Sequence, residues 1–429
     1  MRSPTVLVAV ALVLVACTVG RAPTSTPAAV TPAPVVTGTL PPVIGDATLV
    51  PSPTAAPLTL RLWLPPQFAA DPASAAGQVL QKHLSEFQTQ NPGVQLDIRV
   101  KRTTGMGGML ESLESAQLVA PNAMADVILI DHNLLAQAET RALIQPLGGL
   151  LAPELLSTSA EFARPTPDSV TGLPLFGETT LLVYNTALLN SPPTNWAEVQ
   201  AANAPFTFAG GNLQGGLVLQ QYLAVGGRIQ SETGELLPDV IELSEALSVL
   251  QSLNRAGVLY IGTLNYTTSA DSWQAYRENR AVLAVTDSVS YLRERRLVVN
   301  TAAIPVPTLG GAARQLFRVW YLAIPTVEPL RQAQAAALVE WLSEPVFLAE
   351  WSLALGHIPL QAPALTELAA QPDLRFTSDL VASGQLLPPS TTLNQVGPVL
   401  QAALSDVING RATPETAATT ANAQLNTSN

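Results

Sequence analysis

The run DVILI, Asp126–Ile130, is the stretch that most narrows what this chain can fold into. Four apolar residues follow the aspartate without a polar interruption, so the segment reads as a strand buried on both faces. That is the setting of a parallel sheet covered by helices. The segments before it agree. TLRLWL (Thr59–Leu64) alternates, with Leu60, Leu62 and Leu64 on one face, and VQLDIRV (Val94–Val100) alternates throughout. Between them Ala76, Leu80, Leu84 and Phe87 fall on one helical face, and Asn91-Pro92-Gly93 ends that helix. A second helix is expected around Met109–Val119. Strand–helix–strand–helix–strand order implies right-handed crossovers and a layered α/β domain.

The pattern continues. Strands are predicted at Glu178–Asn185, Ala281–Ser288 and Arg318–Pro325, and a short one in PFTFAG before the turn Gly210-Gly211-Asn212. Helices are predicted at Leu217–Val225, at Ile241–Ala256, around Trp273 and Tyr276, and through Ala333, Ala337, Leu338 and Trp341. Asn195 with Glu198 suggests a capping box, and Thr413 with Pro414 an N-cap followed by proline at the first helical position. No internal repeat is visible.

Cys17 is the single cysteine, so no disulfide framework staples the fold. It follows Arg2, an apolar run Val6–Val15 and Ala16. The run is too short to span a bilayer, which needs roughly 20 residues, but it has the grammar of a secretory signal. The ending Leu14-Val15-Ala16-Cys17 resembles the lipobox of bacterial lipoproteins. That resemblance implies cleavage before Cys17 and acylation of its sulfur. Acyl chains contribute about 0.8 kcal/mol per buried CH₂, and two or more hold a protein firmly on a membrane. Residues 1–16 are therefore expected to be a signal peptide. Residues 17–57, rich in Pro and Thr, are expected to be an extended tether.

About 370 residues follow the tether, enough for two domains. The formal net charge of −11 excludes a nucleic-acid partner, because no basic stripe is present to neutralise phosphates. No later segment is long and apolar enough to suggest a transmembrane helix.

In their order, LSEFQTQNPGVQLDI, ADVILIDHNLLAQAETRALIQPL, TGLPLFGETTLLVYNTALL, YRENRAVLAVTDSVSYL, VWYLAIPTVEPLRQAQAAALVEWLSEP, LGHIPLQ and VINGRATPETAATTANAQL resemble the family 1 extracellular solute-binding proteins of ABC importers. The resemblance runs from about residue 58 to the C-terminus. It implies a two-lobed periplasmic-binding-protein-like α/β fold with three hinge crossovers and a ligand cleft between the lobes. By analogy the crossings fall near Ser169–Gly172, Ile304–Pro307 and Gly356–Pro359. One lobe would then comprise 58–169 plus 306–356, and the other 170–305 plus 357–429. It further implies a monomer outside the cytoplasm that delivers a small carbohydrate or polyol to the permease subunits of an importer. The alternatives are a sensing partner for a membrane receptor and a lipid-anchored carbohydrate hydrolase.

Open α/β sheets bind ligands beyond the carboxyl ends of their strands. That rule selects Gln67, Asp131, His132, Asn212, Asp287, Trp320 and Tyr321 as candidates, and Trp63 sits beside them. Carboxylates at strand ends accept sugar hydroxyls, and aromatic faces stack on sugar rings. Glu178 matches a sugar-binding position of maltodextrin-binding relatives. These acids also suit helix caps, and these tryptophans also suit a core. Ile130, Thr180 and Val289 stand where maltodextrin-binding relatives place stacking aromatics, and an aromatic near Gly397 is missing, so a mono- or disaccharide is expected rather than a long oligosaccharide. His83, His132 and His357 are scattered without metal-binding spacing, and no nucleophile elbow occurs. No cofactor, metal or catalytic residue is expected.

Overall fold

The computed structural model describes residues 57–164, 170–230, 236, 239–310 and 314–427. The expected signal peptide, Cys17 and all of the tether before Pro57 lie outside the described residues. The strands are β1 (Leu58–Leu64), β2 (Val94–Val100), β3 (Val127–Asp131), β4 (Gly172–Glu178), β5 (Thr180–Asn185), β6 (Phe206–Thr207), β7 (Leu283–Asp287), β8 (Thr301–Ile304), β9 (Gln315–Ala323), β10 (Ile358–Pro359) and β11 (Gly384–Leu386). They form two sheets. The larger runs β2-β1-β3-β9-β4-β10, with β11 added alongside the start of β9. Strands β1, β2 and β3 are parallel, and β9 runs antiparallel between β3 and β4. The smaller sheet runs β6-β7-β5-β8.

The two-residue period of a strand explains how the larger sheet is held. Leu60, Leu62 and Leu64 of β1, Val127 and Leu129 of β3, and Trp320 and Leu322 of β9 point to one face. There they meet Phe68 and the helices Ala75–Gln90, Pro329–Leu342 and Pro345–Leu355. Trp63, Ile128, Ile130, Val319 and Tyr321 point to the other face, under the helices Met109–Val119 and His132–Thr140. Both faces are covered, as the unbroken VILI run requires. The smaller sheet packs through Leu182, Phe206 and Leu283 on the helices Gly216–Ala224, Val240–Arg255, Ser390–Ile408 and Pro414–Thr427. Among the described residues no helix is long and apolar enough to cross a membrane.

Sheet membership moves two of the expected boundaries. Gly172–Glu178 pairs with β9 in the larger sheet, so the first crossing is at Glu178–Thr180 and not at Ser169–Gly172. The run Glu178–Asn185 is accordingly two strands rather than one. Thr179 is the buried pivot between them: its hydroxyl donates to Leu316 O at 2.7 Å, and its carbonyl accepts from Ser288 N at 2.8 Å. The second crossing leads from the end of β8 at Ile304 to the start of β9 at Gln315. Ile358–Pro359 pairs with β4, so Gly356–Pro359 stays with the larger sheet. The chain leaves for the helices of the smaller sheet only after β11, between Leu386 and Ser390. β4, β10 and β11 therefore lie in the larger sheet, whereas the expected division places 170–305 and 357–429 in the other lobe.

Candidate functional site

Gln67, Asp131 and Glu178 follow or end β1, β3 and β4, strands that run in one direction, and so come to one edge of the larger sheet. Across β9, Asp131 is opposite Trp320 and Glu178 is opposite Arg318. The smaller sheet brings Asp287, at the end of β7, opposite Thr180 at the start of β5. Asn212, in the turn after β6, completes this wall. Two cavities open here between the lobes. The larger, about 790 Å³, is lined by Gln67, Trp320, Glu178 and Arg318 from the larger sheet's lobe and by Arg293, Arg295 and Arg296 from the other. The smaller, about 250 Å³, is lined by Glu178, Arg318, Asn212, Gln220 and Asp287. Glu178 and Arg318 are common to both.

Glu178 is the centre of this arrangement. Its Oε1 lies 3.4 Å from Arg318 Nη1 and its Oε2 lies 4.0 Å from His357 Nε2. Burial pushes the Glu178 carboxyl above the usual range; Arg318 opposes the shift, while Asp287 and Asp131 add to it. His357 is buried and held down to about 4, by desolvation first and by Arg293 and Arg318 as well, so it is neutral near pH 7. A carboxylate flanked by a guanidinium and a neutral imidazole offers acceptors and donors side by side, the complement of a hydroxyl-rich solute.

The other candidates divide. Asp131 spends one oxygen on the N-cap of the helix His132–Thr140, accepting from Leu134 N at 3.0 Å. Asp287 caps the helix Ser288–Glu294, accepting from Ser290 N at 2.6 Å and from its hydroxyl at 3.0 Å. Each cap fixes its carboxylate beside Glu178. Asn212 accepts from Gln214 N at 2.8 Å, which shapes the loop around the smaller cavity. His132 is buried and its pKa is lowered by desolvation; the Leu387 backbone approaches its ring without a well-directed hydrogen bond. Asp131 and His132 line neither of the two cavities.

Trp320 and Tyr321 are neighbours on β9, so they point to opposite faces. Trp320 reaches the larger cavity while packing edge-on against Phe68 at 4.7 Å. Tyr321 lies in the opposite core, where its hydroxyl donates to Ala163 O at 2.8 Å and no free polar edge remains for a ligand. Trp63 is in that core too, 2% exposed, with Lys101 Nζ 4.7 Å from its ring centre. These two aromatics are core residues. Gly397 itself has no room for a side chain. A side chain there would meet Leu213 O at 2.1 Å, because the helix Ser390–Ile408 touches the loop that carries Gln214 into the smaller cavity.

Sequence reasoning passed over Arg318, His357 and the group Arg293, Arg295 and Arg296. The signal was present in RERR (Arg293–Arg296), three arginines in four residues of a chain with net charge −11.

Two α/β lobes, three crossings and a polar cleft at the strand ends define the class of two-lobed periplasmic binding proteins. The chain belongs to the bacterial extracellular solute-binding protein family, whose profile matches residues 71–346. Among solved structures it is similar to the cyclic alpha-maltosyl-1,6-maltose binding protein of Arthrobacter globiformis, at 16% identity over 87% of this chain and 99% of that one, with a TM-score of 0.69. A cyclo/maltodextrin-binding protein complexed with maltotetraose is similar at 19% identity over 88% and 98% of the two chains, TM-score 0.66. Maltose-bound MalE3 of T. maritima is similar at 18% identity over 86% and 99%, TM-score 0.60. At these identities the likeness establishes the fold. No match was found among curated protein sequences.

Proposed function

We propose that this protein is a lipid-anchored, extracytoplasmic receptor that captures a small carbohydrate or polyol and delivers it unchanged to the permease subunits of an ABC importer. The observation that carries the reading is the position of Glu178. It stands at the first crossing, in the walls of both interlobe cavities, with Arg318 and neutral His357 beside it. Sugar ligands named for the structural neighbours support a carbohydrate, and the family supports capture rather than turnover. The absence of stacking aromatics at Ile130, Thr180 and Val289 favours a short ligand. The anchor rests on Leu14–Cys17 and the Pro/Thr tether after it.

A single preparation tests these points. In cells fed an alkyne-tagged fatty acid, the wild-type chain takes up label and Cys17→Ser does not. The purified wild-type protein is then melted with mono- and disaccharides, sugar acids, sugar phosphates, polyols, amino acids and short peptides. A solute that binds only the folded state stabilises it by about 2.7 kcal/mol at a hundredfold excess over Kd. A carbohydrate or polyol is expected to raise the melting temperature, and Glu178→Ala to abolish the shift. A shift with peptides alone would refute the carbohydrate reading, and label on Cys17→Ser would refute the anchor.

A further inference from the structure

Resting on that capture reading and extending it, we propose that the arginine-lined arm of the cleft holds an oxyanion of the solute, a carboxylate or phosphate carried on a sugar or polyol. Four guanidiniums, Arg293, Arg295, Arg296 and Arg318, face the larger cavity against one carboxylate, Glu178. This concentration occurs in a chain with 21 basic and 32 acidic residues, so it runs against the charge of the whole molecule. Arg293 and Arg296 are exposed, and among the described residues neither side chain has an ion-pair or hydrogen-bond partner. A solvated surface arginine needs no partner. Two of them beside a pair of buried guanidinium nitrogens are a different matter.

Arg295 is 8% exposed, with Nε 3.1 Å from Asp373 Oδ2 and Nη1 2.7 Å from Leu292 O. Its Nη2 is buried and unpaired, and so is Nε of Arg318. A buried donor left without an acceptor costs about 1–3 kcal/mol. A neutral solute meets such donors only with single hydroxyl oxygens, whereas an oxyanion accepts several charge-assisted bonds at once. Ser74–Ala76 bring the N-terminus of the helix Ala75–Gln90 to the same cavity, and its dipole has the same preference for negative charge. Glu178 and Arg318 also border the smaller cavity, where Asn212, Gln220 and Asp287 offer partners for hydroxyls. The arginine-lined cavity and this polar one together fit a solute with hydroxyls at one end and an anion at the other.

The test uses the full-length protein in detergent and titrates glucuronate, glucose 6-phosphate, glucose and inorganic phosphate by calorimetry and melting. The comparison protein is the double variant Arg293→Gln/Arg296→Gln, whose substituted side chains are exposed and unpaired, so its ligand-free melt is expected to match the wild type. Glucuronate or glucose 6-phosphate is expected to bind at least tenfold more tightly than glucose. The double variant should lose at least tenfold in affinity for the charged probe and several-fold less than that for glucose. Whichever charged probe binds identifies a carboxylate or a phosphate as the group recognised. Equal or tighter binding of glucose, or a double variant that binds the charged probe normally, overturns the anion and leaves carbohydrate capture standing. No binding by any of the four probes overturns the anion inference, and a positive wider carbohydrate and polyol screen then shows whether capture survives without it.

Discussion

Asp126→Ala is expected to destabilise the fold by about 3–5 kcal/mol, the cost of breaking a buried ion pair from one side. Asp126 is fully buried at the entry to β3. One carboxylate oxygen accepts from Arg331 Nε at 2.7 Å, and the other accepts from Arg331 Nη2 and from Arg61 N at 2.7 Å. Arg331 also donates to Thr59 O at 2.8 Å. One carboxylate therefore ties β1 and β3 to the helix Pro329–Leu342. Alanine leaves a largely buried guanidinium and a strand N–H without acceptors. In urea the midpoint should fall while the slope stays constant, since the surface exposed on unfolding is unchanged. Asp126→Leu/Arg331→Met should recover much of the loss, because removing both partners leaves no stranded charge. A single variant within 1 kcal/mol of wild type would show that the pair does not hold these elements together.

Stability should also fall as the pH drops from 6.5 toward 4, and His357 sets the largest resolved part. Its pKa is about 4 in the folded protein against 6.5 in an exposed chain. Below pH 6.5 the unfolded chain takes up a proton that the folded protein refuses. Acid therefore favours unfolding, and the effect is complete near the folded pKa. Roughly 2.5 pH units of difference amount to about 3 kcal/mol. His83 and His132 are also lowered by burial and act in the same direction. Glu178, raised by burial, acts in the opposite direction above pH 4.5. Urea midpoints for wild type and His357→Gln at pH 6.5 and 4.5 isolate the His357 share. The variant should lose distinctly less stability over that interval. Equal losses would mean that His357 is not held neutral by the fold.

The regular elements were legible because their signals are local. β2 occupies Val94–Val100 as its alternation predicts, the helix Met109–Val119 has the expected ends, and Thr413 Oγ accepts from Thr416 N at 3.2 Å as an N-cap should. β4 was not legible. Pro174 has no N–H to donate, and the pairing with β9 shifts register between Pro174 and Phe176, so GLPLFGE does not alternate like a strand. The displaced first crossing follows from that omission. The third was misplaced because only pairing across the sheet reveals that Ile358–Pro359 and Gly384–Leu386 return to the larger sheet.

The candidate cleft was legible where a residue type and a strand end coincide. Glu178, Gln67, Asn212, Asp287 and Trp320 line the two cavities. Trp63 and Tyr321 carry the same kind of signal, but whether an aromatic at a strand end faces a cleft or a core depends on which sheet face is covered, and that is set by distant helices. Arg318 escaped notice because an arginine inside an apolar strand looks like an edge residue until Glu178 is placed opposite it. Gly356, with φ of +79°, ends the helix Pro345–Leu355 where a side chain would meet Val289 O at 2.7 Å, a contact between lobes that spacing along the chain cannot reveal.

Capture between lobes has one direct physical consequence: ligand shifts the population toward a closed state that binds it better. Small-angle scattering on the purified protein, with and without the solute that raises its melting temperature most, measures this. The radius of gyration should fall on saturation, and the fall should disappear in Glu178→Ala. A profile that stays the same at saturating solute, with binding verified by calorimetry in the same sample, would contradict capture by lobe closure.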